Sequence, residues 1–283
     1  MRIGVSARFF DKYMPVDQLA KKVSDMGFDC IQITLPNTLS SIDTGLGRLN
    51  PGMANYIGET FRKHGVQIAV LECYINPIHP DETERKRQIA MFKERIRYAR
   101  EFGTSVVATE TGSLNTNFTF HPENHSEKTL GVLLRSLDEM VNEAEKFGIM
   151  VCIEGVKSFV AHSPQRIRRI LDEIDSVNLQ VLFDPVNLLS IENYKDQDKV
   201  IKDSFDLFGD NIIVVHAKDF QVKDGQFKLV QSGKGMLNYE LLFKLLKERK
   251  PYINVIMEDI ELDIAHEGIS YLRSVYDKVS ILK

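Results

Sequence analysis

Four residues with useful chemistry, Glu154, Asp184, His216 and Glu258, each close a short apolar run: "IMVCIE", "LQVLFD", "NIIVVH" and "INVIME". Carboxylates and imidazoles are divalent-cation ligands, and an apolar, β-branched run that stops on one of them reads as a buried strand delivering a ligand at its end. Taken singly, each could cap its strand or pair with a loop lysine. Taken together, on successive strand-like runs, they describe one site in which a cation offsets carboxylate repulsion. Three carboxylates and one imidazole form a mostly hard donor set, which fits Mn²⁺ or Mg²⁺ best. Mn²⁺ is the first expectation, and the imidazole leaves room for Zn²⁺ or Co²⁺.

Glu72 and Glu110 close two earlier runs, "QIAVLE" and "SVVATE", so the same rim carries more carboxylates than one cation needs. They are expected to line a substrate pocket or to sit in buried ion pairs with Arg8 or Lys218. Lys218 follows His216 by two residues, hence shares its face of an extended strand, where it could hold a substrate oxygen or stabilise an enolate. Asn76, within "YINPIHPD", could bond a substrate hydroxyl or belong to a rigid turn. Asp219 reads as a structural partner, His79 as ordering its loop and His162, just before a helix start at Ser163-Pro164, as a loop contact. "SGKG", Ser232 to Gly235, is too short for a phosphate loop and reads as a turn.

These residues need a scaffold that brings strand ends together. Short apolar runs, "RIGVSA", "CIQIT", "QIAVLE", "SVVATE", "IMVCIE", "LQVLFD", "NIIVVH" and "INVIME", alternate with longer segments whose apolar residues recur at three and four spacing. Strands apolar throughout must be covered on both faces, which calls for a parallel sheet with helices outside it, and eight such units predict a (β/α)₈ barrel spanning 1–283 as one domain. Gly27, Gly65, Gly103, Gly148 and Gly209 stand where helices should stop in a left-handed residue. The links from helix to next strand are short, whereas "LPNTLSSIDTGLGRLN", "TGSLNTNFTFHPENHS" and "AKDFQVKDGQFKLVQSGKGMLN" follow strands, so the pocket belongs at the strands' C-terminal ends. The last of these loops has a hairpin pattern around Asp224-Gly225, placed to cover the pocket or to meet a second subunit, which makes a homodimer one expectation.

Composition narrows the partners. A chain of 283 residues, 43% hydrophobic and 27% charged, has ample material for a large core. Its net charge of −4, with basic and acidic residues interleaved, gives no footprint for nucleic acid or an anionic membrane and favours a small-molecule substrate. With neither a leader-like start nor a spanning run, a cytoplasmic protein is expected, and Cys30, Cys73 and Cys152 read as buried, reduced thiols.

"CIEG", "LFDPVN", "VVHAKD", "GKGMLNYELLFKLL" and "NVIMED" resemble, in order and spacing, the sugar phosphate isomerase/epimerase superfamily. Its xylose isomerase-like TIM barrels include ketose 3-epimerases, inosose dehydratases and endonuclease IV. The resemblance covers nearly the whole chain and implies the metal ligands Glu154, Asp184, His216 and Glu258 already picked out by the strand ends. It further implies that Glu154 and Glu258 move a proton on opposite faces of a sugar or sugar phosphate, isomerising or epimerising it through an enediolate. A lyase of the inosose dehydratase type is the alternative, followed by a sugar-binding barrel without turnover and by an endonuclease IV-like nuclease. Two departures bear on the substrate: Asn187 stands where ketose 3-epimerases carry a sugar-binding His, and Val222 where they carry an Arg. Asn187 therefore joins Glu72, Asn76, Glu110 and Lys218 as an expected substrate contact. Glu72, Glu110 and Asn187 replace His ligands of endonuclease IV, which leaves its three-metal site unbuilt.

Overall fold

The computed structural model describes residues 1–39 and 41–279. In chain order the strands are β1 (Arg2–Ser6), β2 (Cys30–Thr34), β3 (Gln67–Glu72), β4 (Val106–Glu110), β5 (Met150–Glu154), β6 (Leu179–Phe183), β7 (Ile212–Ala217), β8 (Asp219–Lys223), β9 (Gln226–Val230) and β10 (Asn254–Met257). All but β8 and β9 form one closed parallel barrel, completed where β1 pairs with β10 from Arg2↔Asn254 to Val5↔Met257. The helices α1 (Val16–Asp25), α2 (Leu35–Thr38), α3 (Pro51–Lys63), α4 (Glu82–Tyr98), α5 (Glu127–Phe147), α6 (Pro164–Ile174), α7 (Gln197–Phe208), α8 (Tyr239–Arg249) and α9 (Ala265–Lys278) lie between and after the strands. The result is the (β/α)₈ barrel that the repeated units predict, with α2 as a single extra turn on β2.

Sequence-local chemistry starts several helices. Ser126 accepts from the Thr129 amide at 3.2 Å and Ser163 from the Arg166 amide at 3.3 Å, while Pro164 supplies the preset φ of a first helical residue. Gly27, Gly65, Gly103 and Gly148 have the positive φ of a helix stop, but Gly209 does not: at φ −54° it enters a further right-handed turn. Its smallness matters for space, since a Cβ there would lie 3.0 Å from Arg249 Nη1 and 3.2 Å from the Phe205 ring. The expected hairpin is present as antiparallel β8–β9, with Asp224 and Gly225 at φ 53° and 72° in its turn.

The period of two along each strand divides the apolar residues between two cores. Ile31, Val107, Ile153, Val181, Val215 and Val255 pack beneath the helices, whereas Cys30, Val70, Ala108, Cys152, Leu182, Val214 and Ile256 pack on one another inside the barrel. Two residues beyond those interior side chains, and so on the same face, come Gln32, Glu72, Glu110, Glu154, Asp184, His216 and Glu258. The polar rim is thus the next layer of the barrel's own filling. Gly4 is the interior residue of β1, where a Cβ would meet Cys30 O and Sγ at 2.6 Å and Ile256 Cδ1 at 2.8 Å. Gly4→Ala should therefore lower stability by about 1–3 kcal/mol through overpacking beneath the rim; an unchanged urea midpoint would show that the filling has slack there.

Candidate functional site

The imidazole of His216 is fully buried and its Nδ1 faces three carboxylates: Glu154 Oε1 at 3.2 Å, Glu258 Oε2 at 3.6 Å and Asp184 Oδ2 at 3.8 Å. Ligand atoms of Glu154, Asp184 and His216 all lie within 4.8 Å of one another. Glu258 stands at the edge of that group, turned towards Arg8 Nη2 at 3.1 Å and Lys218 Nζ at 3.5 Å. Lys218 also reaches Asp184 Oδ2 at 2.9 Å, so it shares the site with His216, as their spacing predicts.

The electrostatics follow from this crowding. Burial works against a charged His216, but Glu258 and Glu154 outweigh it and push the imidazole up to about 10. Burial likewise opposes charge on Glu258, yet His216, Lys218 and Arg8 together hold its carboxyl below the usual range. Asp184 is raised, chiefly by burial, with Lys218 opposing. Glu72 and Glu110 are both pushed up to about 8 by burial, compounded for Glu72 by Glu258 and for Glu110 by Glu154.

A residue outside the expected set controls the imidazole. Gln32, wholly buried in β2, donates through Nε2 to Glu72 Oε2 at 2.9 Å, which leaves its Oε1 facing His216 Nε2 at 2.9 Å. Nε2 is therefore a donor to Gln32, and Nδ1, which donates to the carboxylates while the imidazole is charged, is the nitrogen left to face a cation once that proton is lost. Thr34 Oγ1 adds a bond to Glu72 Oε2 at 3.0 Å, and the Tyr74 hydroxyl bonds the same carboxylate. Glu72 is thus held by neutral donors, whereas Arg8 and Lys218, its expected partners, are directed to Glu258 and Asp184. The available sequence signal for Gln32 is an amide in the middle of the buried run "CIQIT".

The residues present fit a divalent cation. The donors are carboxylates plus an imidazole nitrogen whose other nitrogen is already bonded, and Glu258 Oε1 is buried without a hydrogen-bond partner. Asn187 braces the group: its backbone amide donates to Asp184 Oδ1 at 3.0 Å and its side chain to Glu154 Oε1 at 2.7 Å.

Asn76, expected at the substrate or in a rigid turn, has its amide committed to the turn. Its Nδ2 donates to Ser113 O at 2.6 Å and its Oδ1 accepts from the Ile78 amide at 3.3 Å, which ties the loops after β3 and β4 together. Asp219 accepts from the amides of Phe220, Gly233, Gly235 and Leu237 and so gathers the turn around Ser232–Gly235. His79 bonds Asp81 within its own loop, and His162 packs on His125 with ring centroids 4.0 Å apart and planes tilted by 36°, where burial, His125 and Arg166 push it down to about 4.

A groove of about 600 Å³ runs from Asn187 outwards between the loops after β4, β5 and β6 and the β8–β9 hairpin. A cleft of about 340 Å³ opens at the opposite end of the barrel, lined by Arg2, Asp29 and Arg62 and remote from the carboxylates.

Comparison with known proteins places this geometry in context. Residues 20–275 match the xylose isomerase-like TIM barrel family. Among solved structures, a D-tagatose 3-epimerase-like protein is 24% identical with a TM-score of 0.75, over 99% of this chain and 100% of that one. A D-psicose 3-epimerase from Clostridium cellulolyticum H10, determined with D-tagatose, is 15% identical with a TM-score of 0.74 over 98% and 99% of the two chains. IolI protein with a bound zinc atom is 15% identical with a TM-score of 0.76 over the whole of both. At these identities the structural likeness is one of fold. No curated protein matches the sequence.

Because Gln32 fixes which nitrogen of His216 faces the carboxylates, Gln32→Leu should weaken the binding of added Mn²⁺ or Zn²⁺ by about 10–100-fold. Calorimetric titration of both proteins checks this, and equal affinities would detach Gln32 from the ligand group.

Proposed function

The chain belongs to the xylose isomerase-like TIM-barrel family, and on that premise we propose that it is a metal-dependent isomerase or epimerase of hydroxy-carbonyl sugars. The observation that carries this reading is the pairing of Glu154 and Glu258 across the Glu154–Asp184–His216 group. They stand on β5 and on the residue after β10, with β6 and β7 between them in the barrel, so their carboxylates approach a ligand from different sides.

Glu154, Asp184, His216 and Glu258 would hold the cation, and their hard, oxygen-rich character favours Mn²⁺. When bound, the ion supplies Lewis acidity, which polarises a carbonyl and makes the neighbouring C–H acidic enough to ionise.

The chain's own groups then divide the work. Glu258, held ionised by His216, Lys218 and Arg8, is the base that takes the proton from the carbon next to the carbonyl. The electron pair left behind delocalises over an enediolate. Glu154 returns a proton from the other face, which inverts the carbon it started from or, if delivered to the neighbouring carbon, isomerises the sugar. Asn187 restrains Glu154 through one oxygen, leaving the second for that transfer. Lys218, between Asp184 and Glu258, is placed to bond a substrate oxygen on which negative charge develops. Glu110, beside Glu154 in strand register, and Glu72 supply further oxygens on the substrate side.

Metal-reconstituted protein incubated in D₂O with ketoses, ketose phosphates and inososes should place solvent deuterium next to the carbonyl of its substrate without changing the skeleton's mass otherwise. Glu154→Gln should suppress that exchange by at least about 10²-fold while retaining metal, because an amide oxygen can coordinate but cannot exchange a proton. Loss of water would move the reaction to a lyase, and full exchange by Glu154→Gln would remove Glu154 from the proton path. NMR and mass spectrometry read both outcomes.

A further inference from the structure

We propose that the substrate carries an apolar substituent, an aryl or alkyl group beyond its hydroxy-carbonyl carbons, seated in the groove that leads from Asn187 to the hairpin. This rests on the proposed carbonyl chemistry for where the reacting end lies; the groove supplies the rest. Its volume of about 600 Å³ falls in the range of sites that enclose ligands of drug-like size.

The outer wall of the groove is apolar. Phe120 and Leu229, at its mouth, are 53% and 47% exposed, and large apolar side chains gathered at the entrance to a site mark a surface that something covers. Phe227 completes the wall and is rigidly backed, stacked at 4.7 Å on Phe220, which is itself fully buried. A wall anchored to the core in this way is preorganised for a flat apolar ligand.

The charges in the groove are already spent on one another. Lys157 Nζ donates to Ser190 Oγ at 2.6 Å and lies 3.6 Å from Glu192 Oε2, while the Lys157 carbonyl is bonded to His125 Nε2 at 3.1 Å. A phosphate entering here would meet a lysine with a carboxylate beside it; an aryl group would meet Phe227 and Leu229. At the inner end, Asn187 lines the groove and donates to Glu154 Oε1 at 2.7 Å, so a ligand lying along the groove has its other end at the proposed acid–base pair.

The test compares three compounds on metal-reconstituted protein: a ketohexose, its 6-O-phenyl ether, in which the keto carbon stays free, and its 6-phosphate ester. The phenyl ether should exceed the free sugar in kcat/KM by about tenfold or more, and the phosphate ester should gain nothing. Leu229→Ser combined with Phe120→Ser, both at exposed positions, should bring the phenyl-to-free ratio close to one. Equal rates for the two sugars, preference for the phosphate, or a ratio that survives the substitutions would overturn the proposal. If no compound turns over, the carbonyl chemistry fails on its own account and the groove is judged by calorimetric titration with phenyl β-glucoside. Binding that Leu229→Ser weakens by about tenfold upholds the subsite, and absence of binding sinks it. Sedimentation velocity decides the rival occupant: a dimer that Leu229→Ser dissociates, with no preference among the compounds, assigns the wall to a second copy of the chain and overturns the proposal.

Discussion

Glu72, Glu110, Glu154, Asp184 and Glu258 lie at one end of a barrel above an apolar layer of its filling, and there like charges repel with little water to screen them. The surroundings answer that repulsion in three ways. Arg8, Lys218 and His216 bring positive charge to Glu258 and Asp184. Neutral donors from Gln32, Thr34 and Tyr74 settle on Glu72, with which no lysine or arginine among the described residues forms an ion pair. Glu72 and Glu110 are pushed towards their protonated forms. Such a rim is costly to build from protein alone, and a divalent ion among Glu154, Asp184, His216 and Glu258 would relieve most of it.

The fold was legible because parallel strands covered on both faces must be apolar throughout, and repetition of that pattern leaves few other architectures. The strand ends were legible for a related reason: a polar residue closing an apolar run is conspicuous, and the period of two carries it onto the interior face above Cys152, Leu182, Val214 and Ile256. Gly209 shows the limit of such pattern-reading. A glycine after an amphipathic segment suggests a left-handed stop, but here it answers to crowding by Phe205, one turn back in α7, and by Arg249, which is distant in sequence.

Partner choice within the site was not legible. Which of several carboxylates Arg8 pairs with depends on reach and angle across strands separated by most of the chain, and nothing in local periodicity encodes it. Gln32 was hidden for a similar reason. One amide in an apolar strand gives no hint that it links an imidazole to Glu72, since the three arrive from β2, β7 and β3. For Asn76 the sequence left a ligand contact and a rigid turn open, and the hydrogen bonds of its side chain are those of the turn.

The closure of β1 on β10 joins the first barrel strand to the last, Arg2 lying opposite Asn254. Glu258 follows the last barrel strand and Arg8 follows the first, so the ion pair between them spans that seam. Loop-closure entropy makes contacts of such sequence separation the slowest to be rewarded during folding. Glu154, Asp184 and His216 precede the last barrel strand in the chain, whereas Glu258 takes its place only when that strand docks between β1 and β7. Pairing of Glu154 with Glu258, the proposed acid and base, is therefore tied to completion of the barrel.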